Sequence, residues 1–280
     1  MAEAPLSPPS VFRDGCGVLR HSPSPGRYRH ARYAVPGELD DWIEHFWLEN
    51  WLLPEGTSQT REVLPHPSVH LVFVSGRSRI YGVQSGRFVR QLQGEGRVLG
   101  IKFRPGAFYP FLRSPLHSIA NKSISAVQVF GNAKLAEEKV LACLDDQSMT
   151  QMAAQFLMQN LPKPDPTVKI ARRIVEEIVK NREITRVDQL ATRCCTTERA
   201  LQRLFRCYVG ASPRWVIKRY RMYEALQRLG DGTHSALASL ALELGYFDQA
   251  HFSNDFKRLV GRAPSEYIDK GVAAQADPGR

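Results

Sequence analysis

The chain has 280 residues, with 38 Lys and Arg against 28 Asp and Glu, a formal net charge of +10. With 43% hydrophobic and 24% charged residues, it cannot be a mostly disordered chain, a collagen-like fibre or a bundle of membrane helices. Its apolar stretches fall short of the ~20 residues a membrane span needs.

The opening residues MAEAPLSPPS lack the basic start and apolar core of a secretion signal. A cytoplasmic location is therefore expected, with no membrane partner. Residues 1–27 carry Pro5, Pro8, Pro9, Pro23 and Pro25 among Ser, Gly and Arg, the composition of a flexible arm. Residues 28–160 are expected to form a strand-rich domain closed by helices. Short apolar runs at 63–74 (VLPHPSVHLVFV) and 97–103 (RVLGIKF), punctuated by glycines, predict a meander of short strands. Helices are predicted near 132–145 and 149–160. Trp42, Phe46, Trp47 and Trp51 either line a pocket or fill a core, and the core is the better reading.

Three prolines in LPKPDPT, residues 161–167, block helix propagation and mark a linker. Beyond it, residues 168–270 read as an all-α domain of about seven helices. Ala171, Ile174, Val175, Ile178 and Val179 recur at helical spacing, as do Val187, Leu190, Ala191 and Cys194. Ala200, Leu201, Leu204, Phe205 and Tyr208 make a third face. Ser212-Pro213 opens a helix as N-cap and first residue, expected to run to Leu229. Leu237, Leu240, Ala241 and Leu244 make a fifth face and Phe252, Phe256 and Leu259 a sixth, and Pro264 starts the last helix. Residues 271–280 read as a polar tail. The fold class is thus α+β.

The helical half repeats itself. Leu201, Phe205, Gly210 and Pro213 recur 51 residues later as Phe252, Phe256, Gly261 and Pro264, and Ala191 recurs as Ala241. Each copy reads short helix, turn, helix, glycine, proline, the form of a helix-turn-helix. Opposite the apolar face of the first copy stand Arg199, Gln202, Arg203 and Arg206, at i, i+3, i+4 and i+7. Arg can bridge guanine O6 and N7, and Gln can bridge adenine N6 and N7. A solvated amphipathic face is the plainer reading of such a stripe, but the repeat and the basic balance favour double-stranded DNA as partner. The second copy presents Gln249, Ala250, Ser253, Asn254 and Lys257, followed by Arg258, and is expected to be the weaker reader. Charge follows this division. Residues 166–270 hold 19 Lys and Arg against 12 Asp and Glu, whereas residues 1–165 hold 18 against 15.

The runs ALQRLFRCYVGASPRWVIKRYRMYEAL (200–226) and LALELGYFDQAHFSNDFKRLVGRAPSEY (240–267) resemble the DNA-binding domain of the AraC-type transcriptional regulators. The resemblance implies two recognition helices entering successive major grooves. It carries base contact to Arg199, Gln202 and Arg203 in the first copy, and to Gln249, Ala250 and Asn254 in the second. Arg206, Ser253, Lys257, Arg258 and Arg262 are assigned to phosphate. Cys195 stands where the family has glycine in the first turn, which predicts an altered turn. Residues 96–112 (GRVLGIKFRPGAFYPFL) resemble a sensor domain often fused to this unit. That implies a small-molecule effector or a homodimer, and contact with RNA polymerase if the protein activates.

Enzymatic activity is not expected, and neither is a cofactor. His45, Glu62, His66 and His70 are the candidates for a metal site in the strand-rich half, but HPSVH lacks the HxH spacing such a site needs, so no metal is expected. Cys16, Cys143, Cys194, Cys195 and Cys207 form no CxxC pair. The adjacent Cys194 and Cys195 read as small apolar residues at a helix end before they read as a redox pair.

Overall fold

The computed structural model describes residues 24–233 and 236–268. Most of the expected arm, the whole tail and Cys16 lie outside these residues.

Among the described residues of the N-terminal half there are eight strands: β1 (Arg27–Tyr33), β2 (Ile43–Leu52), β3 (Ser58–Val63), β4 (His70–Phe73), β5 (Arg79–Tyr81), β6 (Phe88–Gln93), β7 (Glu95–Phe103) and β8 (Ser123–Ser125). Six of them form an antiparallel sheet in the order β1-β2-β7-β4-β5-β8, and β3 pairs with β6 apart from it. The expected meander is therefore corrected. The two central partnerships, β2 with β7 and β7 with β4, join segments far apart in sequence. The run 63–74 yields only a four-residue strand, because Pro65 and Pro67 cannot donate to a ladder. Its first part instead crosses to the other domain, where Leu64 is buried in the helical core.

The aromatic segment Ile43–Leu52, where the sequence pattern predicts no strand, is β2, and Trp42 immediately precedes it. Trp47 lies opposite Gly100 and Trp51 opposite Gly96. A Cβ on Gly100 would fall 1.9 Å from the Trp47 indole, and one on Gly96 2.0 Å from the Trp51 indole. The glycines are thus the floor on which these rings lie. Phe46 is wholly buried and Trp51 nearly so, in keeping with the core reading.

Helices α1 (Tyr109–Leu112), α2 (Ala133–Ala142) and α3 (Asp146–Gln159) close one face of the sheet. Phe156 packs edge-on to Phe73 and Phe130. The start of α3 is tied to the sheet through Asp146, which accepts from Tyr33 at 2.6 Å and pairs with Arg29 and Arg97.

Residues 161–165 carry neither helix nor strand. Then come α4 (Pro166–Lys180), α5 (Val187–Arg193), α6 (Glu198–Leu204), α7 (Pro213–Gly230), α8 (Leu237–Glu243) and α9 (Gln249–Val260), and residues 264–268 are again helical. The starts follow local rules. Asp165, Thr197, Ser212 and Asp248 each accept a backbone N–H of the first turn they cap. One core holds these helices together, built on Leu201, Phe205, Val216, Tyr223, Leu240, Phe252 and Phe256. Burying each such side chain contributes about 1.5–3 kcal/mol.

Candidate nucleic-acid interface

The two repeat copies fold alike. In the first, Cys194 N–H donates to Leu190 O at 3.0 Å and Thr196 N–H to Ala191 O at 2.9 Å. In the second, Leu244 N–H donates to Leu240 O at 3.1 Å and Tyr246 N–H to Ala241 O at 3.0 Å. Between these bonds sit Cys195 at φ 49 and Gly245 at φ 80. The expectation of an altered turn is corrected: Cys195 adopts the left-handed conformation that glycine would, at a steric cost of about 1–2 kcal/mol.

Each second helix closes on a left-handed glycine, Gly210 at φ 85 and Gly261 at φ 87. Their last turns differ. α6 ends at Leu204 and residues 205–209 wind more widely, with Gly210 N–H reaching Phe205 O at 2.8 Å. α9 keeps its α-helical winding to Val260, and Gly261 N–H reaches Lys257 O. Arg206 therefore stands in the widened turn, rotated from the i+7 position that a continuous α-helix would give it.

The helix that joins the copies is also their brace. At 1.5 Å per residue, α7 is about 27 Å long. Its Arg221 is buried and donates to Ile178 O at 2.6 Å, Arg182 O at 2.8 Å and Glu224 at 2.8 Å. It thereby satisfies the Ile178 carbonyl in the last turn of α4, which the helix itself cannot reach, and the Arg182 carbonyl just beyond that helix. Lys218 pairs with Asp255 of α9 at 2.7 Å. Burial would raise the Asp255 carboxyl, but Lys218, Arg258 and the Tyr246 hydroxyl outweigh it and hold it below its ordinary range.

What remains outward is mostly polar, with Leu242 and Phe247 also exposed in the second copy. Arg199, Gln202, Arg203 and Arg206 are exposed on the second helix of the first copy, and among the described residues none of its three arginines forms a salt bridge. In the second copy Gln249, Ala250, Asn254, Lys257 and Arg258 are exposed and Ser253 is half-buried. Arg258 is bound to Asp255 at 2.6 Å, so a phosphate would have to compete for it. Arg262 is half-buried with its guanidinium over the Tyr267 ring.

Sequence reasoning missed the residues that seat this domain on the strand-rich one. Arg219 is 1% exposed and donates from Nη2 to Ser85 O at 2.6 Å, while its Nε and Nη1 find no hydrogen-bond partner among the described residues and the guanidinium lies over the Trp215 ring at 4.6 Å. Burial depresses the pKa of its guanidinium. The Trp215 indole donates to the same carbonyl at 3.3 Å. Tyr223 donates to Leu64 O and stacks on His66. Nothing in the local pattern distinguishes these positions from ordinary helix core.

Of the residues considered for a metal, His66 lies in this stack and Glu62 pairs with Arg87. His70 accepts from the Trp47 indole through Nδ1. Among the described residues no group of three or more His, Cys, Asp or Glu is placed to hold a metal ion. No described helix is long and apolar enough to cross a membrane.

A paired helix-turn-helix braced by one long helix defines a class of protein module, and comparison with known proteins identifies it. Residues 190–270 match the family described as Helix-turn-helix domain, and residues 31–125 match a Domain of unknown function (DUF6597). The C-terminal part of this chain is thus similar to the helix-turn-helix domain family over residues 190–270.

An uncharacterized HTH-type transcriptional regulator of Haemophilus influenzae is 33% identical over 81 residues, covering 29% of this chain and 27% of the relative. The raffinose operon transcriptional regulatory protein RafR of Pediococcus pentosaceus is 37% identical over 67 residues, 24% of each chain. The chain thus spans about a quarter of the length of these curated relatives. Among solved structures, ToxT from Vibrio cholerae aligns over 88% of this chain and 97% of its own, at 12% identity and a TM-score of 0.37. An AraC-type transcriptional regulator from Chromobacterium violaceum aligns over 40% and 99%, at 24% identity and a TM-score of 0.33.

Proposed function

We propose that this protein is a sequence-specific, DNA-binding regulator of transcription, and that it acts without catalysis. The second helix of each copy enters the major groove, and the two copies read sites about one helical turn, 10–10.5 bp, apart. The observation that carries this reading is the outward face of α6. Arg199, Gln202 and Arg203 stand exposed together there, with the side-chain chemistry of base readout, on a domain of the helix-turn-helix family.

The first copy is the principal reader. Among the described residues its arginines are not engaged by carboxylates, whereas Arg258 in the second copy is. Arg206, Ser253, Lys257, Arg258 and Arg262 hold phosphate, which adds salt-dependent attraction without sequence preference. The strand-rich domain supplies control, through a small-molecule effector or by pairing two copies of the chain, and RNA polymerase is the further partner if the protein activates. The site of action is the nucleoid in the cytoplasm.

In-vitro selection of bound double-stranded DNA tests the proposal. Selection should enrich a motif with two elements about 10 bp apart. A dissociation constant equal for selected and random DNA at the same salt concentration would overturn it.

A further inference from the structure

Gly210 and Gly261 occupy the same place in the two repeat copies, each in the left-handed region behind a recognition helix. Each is also a point at which the strand-rich domain touches the helical one. A Cβ on Gly210 would lie 3.2 Å from the backbone and side chain of Leu116, and a Cβ on Gly261 would lie 1.8 Å from Arg87 Nη1. The two grips come from different segments of one domain. Around Gly210, Tyr109 packs on Tyr208 with ring centroids 4.2 Å apart. Around Gly261, Arg87 Nη1 reaches Val260 O at 3.5 Å and Glu62 Oε2 at 3.3 Å. Two residues before Arg87, Ser85 O accepts from Arg219 and Trp215 of α7.

Val260 is the last residue of α9, so its carbonyl has no partner within the helix. A cation at that end is favoured by the helix dipole. Arg87 therefore caps the second recognition helix from another domain, 173 residues away in sequence. Both glycines lack a side chain where the neighbouring domain must come close, beyond what ending a helix requires.

We infer that Arg87 and Leu116 are positioning residues for DNA reading: by holding the C-terminal ends of both recognition helices, the strand-rich domain sets their spacing and tilt. The inference rests on the proposed function for its consequence on DNA, but not for its effect on the helix. Neither recognition unit can shift against the other without leaving its grip, so a change in the strand-rich domain reaches both.

The experiment uses the full-length chain with Arg87→Ala, Arg87→Lys and Glu62→Gln. Hydrogen exchange at amides 256–260 needs no DNA. Arg87→Ala should speed it about two- to five-fold, the loss expected for one cation at a helix terminus, with amides 187–193 unchanged. Arg87→Lys should restore most of the protection, and Glu62→Gln should leave it as it is. On selected DNA with one base pair inserted between the two elements, the affinity penalty seen for the wild type should shrink by a similar factor in Arg87→Ala alone. Unchanged exchange at 256–260 would overturn the inference, as would Glu62→Gln reproducing the effect, since the ion pair would then be acting through the stability of its own domain. Failure to select any DNA would overturn the proposed function and leave the exchange result to decide this one.

Discussion

The imidazole of His66 lies flat on the ring of Tyr223, with centroids 4.2 Å apart and 12° between planes. The Tyr223 hydroxyl donates to the carbonyl of Leu64, two residues before His66. One side of this stack belongs to the segment after β3 and the other to α7. The contact therefore joins the two domains at the centre of the brace between the recognition units.

That placement gives a dependence on pH. Burial, with Lys102 nearby, holds the His66 imidazole well below its ordinary pKa. His70 is pushed down to about 3 and His45 to about 2, again by burial first and Lys102 second. The unfolded chain takes up these protons near 6.5 and the folded chain far lower. The stabilisation is therefore complete above pH 6.5 and lost as pH falls toward the folded values. Each neutral imidazole contributes a slope of about 1.4 kcal/mol per pH unit in that window. The urea midpoint should fall steadily from pH 6.5 to 4.5, and His66→Gln should lower the slope by about one proton. A midpoint unchanged over that range would show the imidazoles to be open to solvent.

Cys195→Gly should stabilise the fold. It relieves a left-handed side chain worth about 1–2 kcal/mol, against an entropic cost of about 0.5–1 kcal/mol for glycine. A net gain of up to about 1.5 kcal/mol in urea unfolding is expected. The reciprocal change behaves differently. A Cβ on Gly245 would lie 2.4 Å from Thr185 Cβ, so Gly245→Ala should cost about 2 kcal/mol or more through strain and overpacking. Equal effects at the two positions would contradict this account of the turns.

Arg221→Ala should cost about 1–3 kcal/mol for each of the Ile178 and Arg182 carbonyls it leaves without this donor, while Glu224 loses its contact at 2.8 Å but keeps Arg182 at 3.6 Å and Arg228 at 3.8 Å. Arg221→Lys should recover little of this, since a single ammonium cannot reproduce the planar fork that spans three acceptors. Denaturant unfolding of the three proteins checks both statements.

On selected DNA, Gln202→Ala and Arg203→Ala should each lose about 1–3 kcal/mol and relax the preference at one base pair. Lys257→Ala should weaken all sequences alike and reduce the salt slope by about one. Titrations at several salt concentrations separate the two behaviours. Equal losses and equal slopes for all three variants would count against the assignment of roles.

The repeat was legible because its marks are local. Left-handed glycines, capping Ser, Thr and Asp, and apolar residues at helical spacing each act within a few residues of themselves. Cys195 shows where that reading stops: the residue type suggested a different turn, and the two backbone bonds around it restore the same one. The sheet was less legible. β2 and β7 are separated by four intervening strands, and a glycine opposite a tryptophan carries meaning only once the two are paired.

By itself the sequence determined the two-copy helical unit, its basic bias and the exposed face of Arg199, Gln202 and Arg203, because helix periodicity, caps and charge are properties of neighbouring residues. Only the tertiary structure decided what the strand-rich half does to that unit. Arg87, Leu116, Ser85 and His66 have no pattern that announces them. They matter because chain folding brings them against α7 and the ends of the two recognition helices, and contacts across about a hundred residues or more arise from packing that no local spacing encodes.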